Sequence, residues 1–137
     1  MRRLAPLLLV VVIAAGCDDS KPGEKIVSPV PGSKLVNVAA PTGNAATGKT
    51  LYASNGCGAC HTYKAAGSTG KIGPDLDKLP QFAQQANRGS LAAFVSESIT
   101  DPNAYVQPGY PQGVMPSFNS LSAQQVADLV AFLTPGH

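Results

Sequence analysis

Apolar residues recur at helical spacing in three stretches of the chain. Ser122 is followed three positions on by Gln125, the spacing of a capping box, and Val126, Leu129, Val130 and Leu133 then share one face until Pro135-Gly136. A second helix is expected after Ser90, where Leu91, Phe94, Val95, Ser98 and Ile99 form one mostly apolar face and Asp101-Pro102 ends it. Asn44 is placed to cap another, carrying Leu51 and Tyr52 and ending before Cys57. No β-branched run alternates cleanly and no repeat is visible. The pattern predicts an all-α fold of three main helices with long irregular connections. The connection from His61 to Gly89 exceeds ordinary loop lengths, which points to function or to a bound group that it wraps.

The N-terminal third reads differently. Arg2 and Arg3 precede an apolar run from Leu4 to Ala15, broken only by Pro6. A bilayer span needs roughly 17–25 residues, so the run is expected to be an export signal, residues 1–16, rather than an uncleaved anchor. Ala14, Ala15 and Gly16 lead into Cys17, which resembles a bacterial lipobox with Ala14 where Leu is usual; ordinary cleavage after a small residue is the alternative. Asp18 and Asp19 resemble an inner-membrane retention signal. Of three cysteines, Cys57 and Cys60 pair closely, and lipid attachment gives the odd Cys17 a role. The expected location is the periplasmic, extracytoplasmic face of the bacterial inner membrane, lipid-anchored. Residues 17–44, rich in Pro and Gly, are expected to be a flexible tether spanning roughly 30 Å, with a short edge strand at Leu35–Val38 as the alternative. The folded domain is then 45–137.

Composition sharpens this. The 137 residues suit one domain and exclude a large multidomain enzyme, and 13% charged residues exclude a coiled coil. Trp is absent and aromatics are 6%, thin for a core of this size unless a cofactor fills the middle. Without Arg2 and Arg3 the 10 Lys and Arg fall to 8, against 8 Asp and Glu, so the net charge of +2 is no argument for nucleic-acid binding.

The chemistry concentrates in Cys57-Gly58-Ala59-Cys60-His61. Two thiols three residues apart, followed by an imidazole, match the attachment signature of c-type haem. Each thiol adds across one porphyrin vinyl group, and His61 is placed to turn under the iron. Two alternatives compete. A zinc site needs about four ligands, and only His137 is left to join these three. A thiol–disulfide oxidoreductase needs a βαβ framework that the pattern lacks.

Residues 45–137 resemble class I, monohaem cytochromes c. Ile72-Gly73-Pro74-Asp75-Leu76 resembles the segment whose proline backs the ligating histidine, and Val114-Met115-Pro116-Ser117-Phe118 the segment that supplies the sixth ligand. The run from Asp101 through Gly109-Tyr110-Pro111 to Met115 is similar to the cytochrome c domain fused to subunit II of some haem–copper oxidases, although no copper-binding domain precedes it here. Gly48 and Phe132 match the close crossing of the family's first and last helices. The resemblance implies one covalent haem c, with Cys57, Cys60, His61, Pro74 and Met115 at the cofactor and His61 and Met115 on the iron.

Met115 also emerges by elimination. Met1 leaves with a cleaved signal, and His137, the other imidazole, lies past the last periodic helix position. Met115 as mere core filler over five-coordinate iron is the alternative. A His/Met pair raises the reduction potential and leaves the iron no open position. The expected function is therefore a non-enzymatic one-electron carrier in a respiratory or photosynthetic chain. Its partners would be a quinol-oxidising complex as donor and a terminal oxidase or similar acceptor. A haem enzyme or sensor, a small peroxidase or gas-binding protein with a labile sixth ligand, is the other class. Lys49, Lys64 and Lys71 lie in an acid-free stretch, residues 45–74. They can steer an acidic partner or be ordinary solvated lysines. Tyr105 and Tyr110 either pack or contact haem propionates.

Overall fold

The computed structural model describes residues 41–137. The signal at 1–16, Cys17, the tether up to residue 40 and the Leu35–Val38 edge strand lie outside the described residues.

All three expected helices form where the capping chemistry puts them. The first, α1 (Ala45–Ser54), starts at Asn44, whose side chain accepts from the N–H groups of Ala46 and Thr47 at 2.9 and 3.0 Å. A single turn, α2 (Cys57–Cys60), follows. Strands β1 (Thr62–Tyr63) and β2 (Ser68–Thr69) then pair antiparallel, Thr62 opposite Thr69 and Tyr63 opposite Ser68. The connection expected to be irregular holds a helix, α3 (Leu79–Ala86). Its apolar face, Leu79, Phe82, Ala83 and Ala86, has helical spacing, and Pro80 sits in its first turn, where a proline is tolerated rather than disruptive. Ser90 caps α4 (Leu91–Thr100), which buries Phe94, Val95 and Ile99, with Leu91 and Ser98 half-buried. The capping box of Ser122 and Gln125 opens α5 (Ala123–Leu133), complete in both directions. Two short strands do not change the class, which is all-α.

The helices α1 and α5 cross tightly. A Cβ on Gly48 would lie 1.9 Å from the Asp128 carbonyl oxygen and 2.8 Å from the Phe132 Cβ, so only glycine fits the crossing. Beside it, Tyr52, Tyr63 and Phe132 form an aromatic triad with ring centroids 5.3 to 6.0 Å apart. The Tyr63 hydroxyl donates to the Phe132 carbonyl at 2.8 Å, tying the hairpin to the last helix. Burial pushes the Tyr52 and Tyr63 phenols above their ordinary pKa, which keeps both neutral. Asp128 is buried in α5, and its Oδ1 accepts from the Asn44 N–H at 2.7 Å and from Gln124 Nε2 at 2.9 Å. Gln124 Nε2 also donates to the Thr42 carbonyl, so Thr42 to Asn44 run along α5. After α3, Arg88 grips Glu97 of α4 through two 2.7 Å bonds that hold the Glu97 carboxyl below its usual range. Among the described residues, no helix is long and apolar enough to cross a membrane.

The crossing makes a direct prediction. Gly48→Ala should lower the stability of the haem-loaded protein by about 1–3 kcal/mol through overpacking, read from its denaturant midpoint. An unchanged midpoint would show that the two helices are not held at this distance.

Candidate functional site

The turn α2 presents Cys57 and Cys60, and the chain leaves the helix at His61, which is extended (φ −112°, ψ 137°) while its N–H still bonds the Cys57 carbonyl at 3.0 Å. That break swings the imidazole off the helix. His61 is only 8% exposed. Its Nδ1 lies 2.7 Å from the Pro74 carbonyl oxygen. A carbonyl only accepts, so Nδ1 carries the proton and donates, and the neutral ring keeps its lone pair on Nε2. Such a bond fixes both tautomer and ring orientation at metal-ligating histidines.

Gly73 completes the support. Its N–H donates to the Cys60 carbonyl at 2.8 Å, and a Cβ there would fall 2.4 Å from the His61 Cε1, so the backbone lies flat against the ring. No disulfide joins Cys57 to Cys60. Burial pushes the Cys57 thiol above its ordinary pKa, and Cys60 nearby adds to the rise.

Met115 arrives from the other side of the sequence on a loop fastened to α4. The Phe118 N–H donates to the Ile99 carbonyl at 3.0 Å, and Ser117 Oγ to the Thr100 carbonyl. The Gly113 N–H donates to Asn103 Oδ1 at 2.9 Å. Sequence reasoning singled out neither Asn103 nor Ser117, nor Gly73 as the surface behind the imidazole. Polar residues in loops carry no periodic signal, and what these touch is distant in the chain.

One cavity, about 220 Å³, gathers these parts. Cys57, Cys60, His61, Pro74 and Met115 all line it, with Leu79, Phe82, Phe94, Ile99, Leu129 and Leu133 from α3, α4 and α5. His137 does not reach it. Tyr105 and Tyr110 are on its wall, and Tyr105 packs edge-on to Phe94 with centroids 5.8 Å apart.

The donor set decides what fits. A bare ion has no site here: among the described residues, no group of three or more His, Cys, Asp or Glu is arranged to hold one. That removes the zinc alternative, since Cys57, Cys60 and His61 sit in sequence without converging. The thiol–disulfide alternative fails too, because among the described residues the sheet is one short antiparallel hairpin and not a βαβ unit. An imidazole nitrogen, a thioether and two thiols on an apolar cavity suit a metal that brings its own planar ligand and an apolar body. Haem meets that description.

A sequence model of the family described as Cytochrome c matches residues 45–135. A search of curated proteins found no match. The matched span takes in every element from α1 to α5, the cavity and the Cys57–His61 motif, and on that footing the chain belongs to the cytochrome c family and carries a covalently bound haem c.

Proposed function

We propose that this protein is a membrane-tethered, one-electron carrier in which His61 and Met115 are the two axial ligands of the haem iron. The observation that carries this is the His61 Nδ1 bond to Pro74, which leaves Nε2 as a preset ligand in a cavity that Met115 also lines. The bound haem supplies an iron that alternates between ferrous and ferric states. Cys57 and Cys60 hold the group through their sulfurs. Pro74 acts through its carbonyl, fixing the ring's tautomer and orientation. The loop bonds of Asn103, Ser117 and Phe118 hold Met115 at the wall, and the apolar residues of α3, α4 and α5 exclude water. Were His61 and Met115 both to hold the iron, it would offer no position to a substrate, which suits a carrier rather than an enzyme.

In this proposal Cys17 carries lipid and residues 18–41 tether the domain at the extracytoplasmic face of the inner membrane, Thr42 to Asn44 being held to α5 instead. Electrons arrive from a quinol-oxidising complex and leave to a terminal oxidase or similar acceptor. The support is the charged, apolar and small-residue succession before Cys17. Lys49, Lys64 and Lys71 are exposed and enter no ion pair among the described residues, which leaves them available to steer an acidic partner.

Three outcomes are expected. Replacing Cys57 and Cys60 by Ala should abolish covalent haem and most of the domain's helical order, as circular dichroism reads it; full helicity without haem would show that the side chains alone make the core. Met115→Ala should lower the reduction potential, remove the weak near-infrared band of methionine–iron coordination in the ferric form and speed carbon monoxide binding to the ferrous form by about tenfold or more, the factor that roughly 1.4 kcal/mol of lost ligation gives. Wild type that binds carbon monoxide as readily as the variant would instead support the enzyme-or-sensor function. Cys17→Ser should move the protein from the membrane to the soluble fraction with its haem spectrum intact, and equal recovery of both forms in the soluble fraction would rule out the lipid anchor.

A further inference from the structure

The bond from His61 Nδ1 to the Pro74 carbonyl settles where the ring's proton sits but holds the ring's plane loosely, since a hydrogen bond tolerates roughly 30° of misalignment before it weakens. Gly73 restrains the plane further. A Cβ built on Gly73 would lie 2.8 Å from the ring's Nδ1, 2.9 Å from its Nε2 and nearer still to the Cε1 between them. Both nitrogens are only slightly farther than Cε1, which places that point over the face of the ring and not beyond its edge. Close packing of this kind resists far smaller displacements than a hydrogen bond does.

The backbone has no need of glycine here. Gly73 lies outside the positive-φ region that Gly67 and Gly113 occupy, so what only glycine permits at this position is the approach of the ring. Nor is the chain free to withdraw. The Gly73 N–H is bonded to the Cys60 carbonyl at 2.8 Å, and the next residue, Pro74, has its φ locked by its own ring while its carbonyl takes the His61 proton. Gly70 is a contrast within the same loop. A Cβ there would lie 2.5 Å from the Cys60 backbone carbon and 2.6 Å from the His61 backbone nitrogen, so its crowding falls on the backbone of the turn rather than on the imidazole.

We infer that Gly73 is a positioning residue that clamps the plane of the His61 imidazole and thereby sets the direction in which unpaired spin is spread over the ferric haem. The inference deepens the function proposed above and rests on its assignment of His61 as an axial ligand. An imidazole that binds a metal through Nε2 keeps one freedom, rotation about that bond. In low-spin ferric iron the angle of that rotation decides which porphyrin edges share the unpaired spin. A ring held by the Nδ1 bond alone averages over a range of angles, whereas a ring pressed flat against a backbone keeps one. Two successive residues thus divide the work: the Pro74 carbonyl selects the tautomer, and Gly73 selects the plane. The clamp acts on His61 from behind and touches neither Met115 nor the thiols among its nearest neighbours.

The test uses the haem-loaded full chain and nuclear magnetic resonance. In the reduced, diamagnetic wild type, a strong Overhauser effect is expected between the Gly73 Hα protons and the His61 Hε1. In the ferric form, the order and spread of the haem methyl shifts report the plane of the ligating imidazole. Gly73→Ala should keep the covalent haem and its visible spectrum while rearranging those methyl shifts and moving the largest electron paramagnetic resonance g-value. Gly70→Ala, which crowds the same turn, should lower the denaturant midpoint but leave the methyl pattern as in wild type. A methyl pattern that Gly73→Ala leaves unchanged, or that Gly70→Ala alters equally, would overturn the inference. So would a wild type without the Gly73–His61 Overhauser effect, a result that needs no variant to fold. Ferric wild type whose His61 ring protons lack the large shifts of a ligating imidazole would overturn the axial assignment instead, and the Overhauser effect reads the contact in either case.

Discussion

The proton on His61 Nδ1 has one acceptor, the Pro74 carbonyl 2.7 Å away, and much of the first half of the fold serves to hold that acceptor in place. The chain between the two residues forms a hairpin, turns back, and lays Gly73 against the ring while bonding it to the Cys60 carbonyl. Were the proton on Nε2, the nitrogen facing away from Pro74 would have no lone pair for a metal. A backbone carbonyl is a robust way to secure the tautomer, since no side-chain change at position 74 removes its oxygen. It also has no ionisation of its own, unlike the carboxylates that often hold ligating histidines.

The second half of the fold works by packing. The α1–α5 crossing at Gly48, the aromatic triad and the Tyr63–Phe132 bond make one rigid corner, and the cavity wall of Leu129 and Leu133 belongs to the same helix as that corner. The two supports are thus linked: Tyr63 follows His61 by two residues and is bonded to α5. A shift of α5 reaches the imidazole through the hairpin. The Met115 loop takes its bonds from α4 instead, so the two sides of the cavity are braced by different helices.

What could be read from sequence was local chemistry. Asn44, Ser90 and the Ser122–Gln125 box act within three residues, and each helix begins where they place it. The cysteine–histidine motif was equally compact, and Gly48 with Phe132 followed from the family resemblance. The helix α3 was passed over because Pro80 reads as a break unless it is recognised as a first-turn residue, although Leu79, Phe82, Ala83 and Ala86 carried the period. A hairpin of two-residue strands is too short to alternate. The partner of buried Asp128, the Asn44 N–H, lies 84 positions away, beyond the reach of any local pattern.

Residues Thr42 to Asn44 are fastened to α5 through Gln124 and Asp128 just before α1 begins. Any pull arriving along the backbone from the N-terminal side therefore meets α5 first, at the corner where two helices touch at backbone distance. The load passes into the close α1–α5 crossing, and the loop that carries Met115, bonded to α4, lies off that path. A domain pulled from its N-terminal side can in this way keep the shape of the loop that places Met115 at the cavity wall.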